Sequence, residues 1–382
     1  MKAKSITANS VEAIQSSLHQ VIADGFSPTL AIVFTSLKHE WQHVQFLLNN
    51  KGIAVFGATT ATEFTENGIG DSGITLLLLD IDTNYFKIVL KDSDQSSLYE
   101  AASGIAATAL GSFSNPAFIL LAPHTKTPGD DIIKGIMKHA GEDVTIIGGI
   151  AGDTIKLEGT VFTNHESTGN GILCLVLDQD KIEVKGIAIS GWKPLGTFKK
   201  VTKSEGLWVH TIDDQPAMDI VEKYIGNESL SKNNADNIVK LNTTYPLQVT
   251  RNGSSPAMIP TLYFNKETRA VMCGQSLPQG TTFRFSLPPD FDVIDSVIES
   301  SRSVKENHLP TADALIVFSC VGRHETLGPM MSEEIEGLAG TWNKPMAGFF
   351  SLGEFGSVAG GKPEFHGTTC SWVALKEKAS NP

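Results

Sequence analysis

Short runs of β-branched and aliphatic residues alternate along the chain with stretches whose apolar positions recur every three or four residues. That is the pattern of strands buried on both faces between amphipathic helices. Thr29 to Ser36 (TLAIVFTS) reads as a strand and WQHVQFLL as a helix. Gly52 to Phe56, running into GATTATEF, reads as a second strand, and GIGDSGITLLLLDI and YFKIVL as two more. The same order returns in PAFILLAPH (Pro116 to His124), DDIIKGIMKHA, VTIIGGIAGD, GNGILCLVLD and IEVKGIAIS. It returns again in DALIVFSCVGRHE (Asp313 to Glu325), MSEEIEGLAG, KPMAGFFSLGEF and TTCSWVALK. An amphipathic helix with cap signals precedes each copy, over Ser10 to Ile22, Ser96 to Leu110 and Phe291 to Val304. The turn-rich stretch between the second and third copies holds a degenerate fourth, with strands at Pro260 to Asn265, Arg269 to Cys273 and Phe283 to Phe285.

Strands this apolar need cover on both faces, so the fold class is α/β, with mixed β-sheets layered with helices and built from repeated strand-helix-strand-strand-strand units. Repeats packed sheet to sheet give α/β/β/α layers. The 382 residues exceed the roughly 250–300 at which a single core stops growing. Two domains are expected, 1–213 and 214–382, with the boundary near Asp213. Lys and Arg total 30 against 42 Asp and Glu, a net charge of −12, and no basic run tracks a phosphate backbone; nucleic acid is excluded as an expected partner. The longest strongly apolar run, Ile74 to Leu79, is far short of the roughly 20 residues that span a bilayer. With no apolar signal core at the start, a cytoplasmic protein without a membrane span is expected. The four cysteines, Cys174, Cys273, Cys320 and Cys370, show no CxxC spacing and read as free thiols.

In each copy, polar or glycine residues follow the carboxyl end of an apolar strand, where open α/β sheets place their ligand crevice. The candidates are Thr59, Thr60 and Glu63 from the first copy; His124, Gly148, Gly149 and Asp153 from the second; and Cys320, Arg323, Gly353 and Glu354 from the third. Glu63 and Glu354 occupy corresponding positions and are expected to be related by an approximate two-fold axis. Either they capture an amino group or they are satisfied turn carboxylates. Arg323 can hold a ligand carboxylate by two parallel hydrogen bonds, or pair internally with Glu325 or Glu354. Cys320 is either a nucleophile favoured by Arg323 or a small buried thiol; no base for it is identifiable, which favours a non-enzyme. GGIAGD lacks the ending of a P-loop and the spacing of a dinucleotide loop. His124, following FILLAP, is the first candidate for a metal or haem ligand, or else a satisfied polar residue, as most lone histidines are.

Three segments, FSCVGR, MAGFFSLGEFG and FHGTTCSWVAL, in that order, together with GATTATEF, IIGGIAGD and the GWKPLGTFKKVTKSEG run, resemble the FIST family of sensory domains (F-box and intracellular signal transduction). The resemblance covers nearly the whole chain, as an amino-terminal and a carboxyl-terminal FIST domain. It implies an intracellular sensory module that binds a small, amino-acid-like ligand. The output would leave through a separate protein such as a kinase. Some members are described as haem-binding nitric-oxide sensors, which keeps haem as the alternative cofactor reading; an enzyme using Cys320 is the other alternative. Ala58 stands where the family usually has a cysteine.

Overall fold

The computed structural model describes residues 1–379 apart from 71–72, 94–95, 124–128, 154–157, 226–237, 241–243, 252–255, 288–289 and 291. It is α/β, with four sheets and helices on their outer faces.

Three of the sheets share one plan. The first strand of each repeat (Leu30–Ser36, Pro116–Pro123, Ala314–Cys320) lies parallel to the second (Ala54–Thr60, Ile146–Ala151, Met346–Ser351). On its other side it is antiparallel to the last strand (Ile74–Asp80, Gly171–Asp178, Cys370–Glu377). A strand from earlier in the chain closes the edge: Lys2–Ala8, Phe86–Asp92 and Ile182–Ile189, respectively. YFKIVL and IEVKGIAIS therefore do not finish the copies they follow in sequence. Each crosses to the sheet of the next.

The short hairpins are exchanged as well. Glu63–Thr65 and Gly68–Ile69, from the first repeat, extend the third sheet. Val161–Phe162 and Ser167–Thr168, from the second, extend the first sheet. Glu354–Ser357 and Pro363–His366, from the third, extend the second sheet. The exchange is cyclic among three units, which corrects the expected two-fold relation between Glu63 and Glu354. Each crossing pairs a hairpin phenylalanine with a strand glycine: Phe64 with Gly348, Phe162 with Gly57, and Phe355 with Gly148. A β-carbon on Gly348 or Gly57 would sit 2.2 or 2.3 Å from the ring, so only glycine admits this approach.

The inner faces of all three sheets meet in one core, where Phe34, Leu121, Phe318 and Phe349 pack. The outer faces carry the helices. Leu98–Leu110 starts from a capping box in which Ser97 and Glu100 satisfy each other's backbone N–H groups. Met331–Trp342 ends at Asn343 in a left-handed cap.

The stretch assigned to a fourth copy forms something else. Strands from Pro194–Glu205 to Thr282–Ser286 make a nine-stranded antiparallel sheet with its own core, inserted between Ile182–Ile189 and the helix Asp292–Asn307. The expected strands are present, but no parallel strand-helix-strand unit joins them. Position 213 falls in the left-handed turn between Trp208–Ile212 and Gln215–Pro216 of this sheet. All four cysteines are buried and free. No described helix is long and apolar enough to cross a membrane.

Candidate functional site

The sequence candidates separate into two corners at carboxyl ends of parallel strands. In the first repeat, Thr60 closes its strand and donates its hydroxyl to Glu63 Oε1 three residues on. Glu63 is 1% exposed, and its Oε2 has no partner among the described residues. Burial pushes the carboxyl up to about 7, against the opposing pull of the Thr60 hydroxyl. Thr59 is spent on the crossing hairpin, its N–H donating to Thr160 O at 2.8 Å and its Oγ1 accepting the Thr160 N–H at 2.8 Å.

In the third repeat the same local geometry recurs. Ser351 closes its strand and donates to Glu354 Oε1 at 2.5 Å. Here the second oxygen is engaged: Thr369 donates its N–H (3.2 Å) and its hydroxyl (2.8 Å) to Oε2. Burial still raises Glu354 to about 7, because these bonds offset only part of the desolvation. Gly149 lies opposite Glu354 across the sheet, where Phe318 and Ser351 leave no room for a side chain. Asp153 is half-buried, its N–H donating to Glu158 O at 2.9 Å. His124 lies outside the described residues.

Arg323 is wholly buried. Its guanidinium pairs with Glu334 from the helix Met331–Trp342, donates to Ser190 O (2.5 Å) and Thr368 O (3.3 Å), and lies 5.1 Å from the Trp192 ring. The expected ligand carboxylate is therefore replaced by an internal one, and the partner is Glu334 in place of Glu325 or Glu354. Cys320 caps the helix Val321–Leu327. Burial and then the Glu354 carboxylate push its thiol well above the usual range, overriding the Gly322 and Thr368 backbone bonds and the Arg323 charge. A thiolate nucleophile is disfavoured there.

The segment between the hairpin and the last strand ties these groups together, and sequence reasoning assigned it no role. Thr368 is buried and held at φ 54°, a left-handed conformation that costs a β-branched residue energy, and its hydroxyl is without a partner among the described residues. Thr369, bonded to Glu354 on one side, lines a cleft of about 380 Å³ on the other. Ser190, Trp192, Gln248 and His366 also line that cleft. The Ser190 hydroxyl is buried there without a hydrogen-bond partner among the described residues. Burial, with the Arg251 charge, lowers His366 to about 4, so its ring is neutral. The signal available in the sequence was the FHGTTCSW run itself, which contains His366, Thr368 and Thr369.

Among the described residues no three His, Cys, Asp or Glu side chains gather as metal ligands. A FIST N domain model matches residues 29–215 and a FIST C domain model matches residues 217–357. No curated protein matches the chain.

Proposed function

The chain belongs to the FIST family, and from that premise we propose that it is a sensory module whose ligand occupies the 380 Å³ cleft between Ser190, Trp192, His366 and Thr369. FIST domains are associated with signal transduction and small-ligand sensing and are not known as enzymes. The observation that carries the assignment is the Ser190 hydroxyl, buried in the cleft wall with its hydrogen-bonding capacity unused among the described residues. Among the described residues, the polar groups that line the cleft are hydroxyls, a carboxamide, an indole and a neutral imidazole, without a charged side chain. They suit a ligand of amino-acid size with no net charge, and a neutral free amino acid meets both conditions. Its occupancy would press on Thr369, and through it on Glu354, Thr368 and Arg323. That network ends on the helix carrying Glu334, a route by which the signal would reach a separate output protein.

Calorimetric titration of the dialysed protein with each neutral amino acid tests the reading. At least one should bind, and Ser190→Trp, which fills the cleft, should abolish that binding without lowering the melting temperature. A wild-type affinity in Ser190→Trp would place the ligand elsewhere.

A further inference from the structure

The three hairpin crossings invite a residue-by-residue comparison one step beyond the glycine–phenylalanine pairs. Where the second repeat's hairpin meets the first sheet, Val161 faces Ala58, so Asn164 comes opposite Val55. The Asn164 carboxamide fills the gap: Oδ1 accepts the Val55 N–H at 2.8 Å and Nδ2 donates to Ile53 O at 2.8 Å. Where the first repeat's hairpin meets the third sheet, Glu63 faces Phe349, so Glu66 comes opposite Met346. There a carboxylate does the same, with Oε2 accepting the Met346 N–H at 2.8 Å. A surface depression of about 490 Å³ remains beside Glu66, but the backbone donor is taken.

At the third crossing Glu354 faces Gly149, so the corresponding pair is Ser357 and Ile146. The serine side chain is too short to span the gap, and among the described residues no side chain bonds the Ile146 N–H. The strands part after Phe355, and both Ser357 and Ile146 line a cleft of about 470 Å³ between the second and third sheets. The loop at Val358 and Ala359 separates it from the cleft described above. Lys185, His308 and Asp143 stand in its wall, and Glu142, also in the wall, is held by Lys362.

We infer that this cleft is a second binding site, for a small molecule whose carboxamide or carboxylate takes the place at Ile146 that Asn164 and Glu66 fill at the other two crossings. The two precedents within the chain define the shared chemistry: a planar group with an acceptor oxygen directed at a strand N–H, a bond that counts for more when the oxygen is charged. Lys185 favours the carboxylate form, and the backbone carbonyl of Val144, which corresponds to the Ile53 acceptor used by Asn164, favours the carboxamide.

Succinamide and succinate separate the two, with the backbone amide signal of Ile146 in ¹⁵N-isoleucine-labelled protein as the readout. In the wild type that signal should move saturably with at least one probe, and it should still do so in Ser190→Trp. Ser357→Asn supplies the missing carboxamide from within; its Ile146 signal should start displaced, and its probe affinity should fall by about tenfold or more, the effect of losing one hydrogen bond of this kind. Ser357→Ala removes no ligand contact and should respond as the wild type does. The inference is overturned if neither probe moves the Ile146 signal saturably, if Ser357→Asn responds like the wild type, or if Ser190→Trp removes the response.

Discussion

Glu63 and Glu354 each begin a hairpin three residues after the hydroxyl residue that closes the preceding strand, and each accepts that hydroxyl. Beyond this they diverge. Glu63 keeps one oxygen buried without a partner among the described residues, and the cation that acts on it, Lys38, is exposed. Glu354 is bonded on both oxygens, and the cation on its side, Arg323, is buried and neutralised by Glu334. At the third equivalent position stands Val161. A hairpin crossing therefore forms with no carboxylate at all, provided the phenylalanine finds its glycine. The carboxylates are additions to the frame, and among the described residues only the Glu354 corner connects its carboxylate to a cleft and a buried ion pair.

The comparison is broken most forcefully at the ion pair. Glu334→Ala leaves a buried guanidinium uncompensated and should destabilise the protein by about 3–5 kcal/mol in urea unfolding, whereas Lys38→Ala in the other corner should stay within about 0.5 kcal/mol. Similar costs for the two would show that the corners are electrostatically alike.

Next in size is the response to an isosteric amide. The Thr369 N–H is a fixed donor to Glu354, so Glu354→Gln must set its NH₂ group against the Ser351 hydroxyl, which then turns its proton to Ser319 O at 3.2 Å. Losing the charge-assisted bonds should cost about 1–3 kcal/mol. Glu63→Gln removes a charge that lacks a partner on one oxygen, and at pH 8 it should be neutral or stabilising. Melting curves at that pH decide whether the order holds.

The smallest effect is on pH dependence. A carboxyl raised from 4.5 to about 7 binds more protons in the folded state between those values, so stability falls as pH rises through that window. His366, lowered from 6.5 to about 4, acts in the opposite sense and loses stability as pH falls through its own window. Each carboxyl contributes a slope approaching about 1.4 kcal/mol per pH unit, and Glu63→Gln or Glu354→Gln should each remove one such slope between pH 5 and 6.5. A profile unchanged in both variants would mean that neither carboxyl titrates there.

Much of this architecture was legible because it is local. TLAIVFTS, PAFILLAPH and ALIVFSC announce buried central strands by composition, and Ser97 with Glu100 announces a helix start. Which sheet a strand joins is not local. YFKIVL is followed at once by the helix of the next copy, and nothing in its own residues says that it pairs with Gly171–Asp178. The site divides in the same way. Glu354 stood out by its position at a strand end, but Glu334 lies in the first turn of a helix, where a glutamate ordinarily faces water. It becomes a counter-ion only once tertiary packing buries it against Arg323. The strain at Thr368 likewise comes from what holds it, including the Arg323 bond to its carbonyl.

The cyclic exchange of hairpins bears on how the chain is made. On the ribosome, the first sheet can gather all its strands once Thr168 has emerged. The second waits for the hairpin of Glu354–Ser357 and Pro363–His366, and the third for Cys370–Glu377, its link between Ile182–Ile189 and Ala314–Cys320. During that interval the unpaired edges of Ile146–Ala151 and Ile182–Ile189 are open to strand capture by other chains. The inserted antiparallel sheet, whose pairings all lie within 194–286, can fold in the meantime. Closure is thus a late, long-range event, of the kind that makes folding slow.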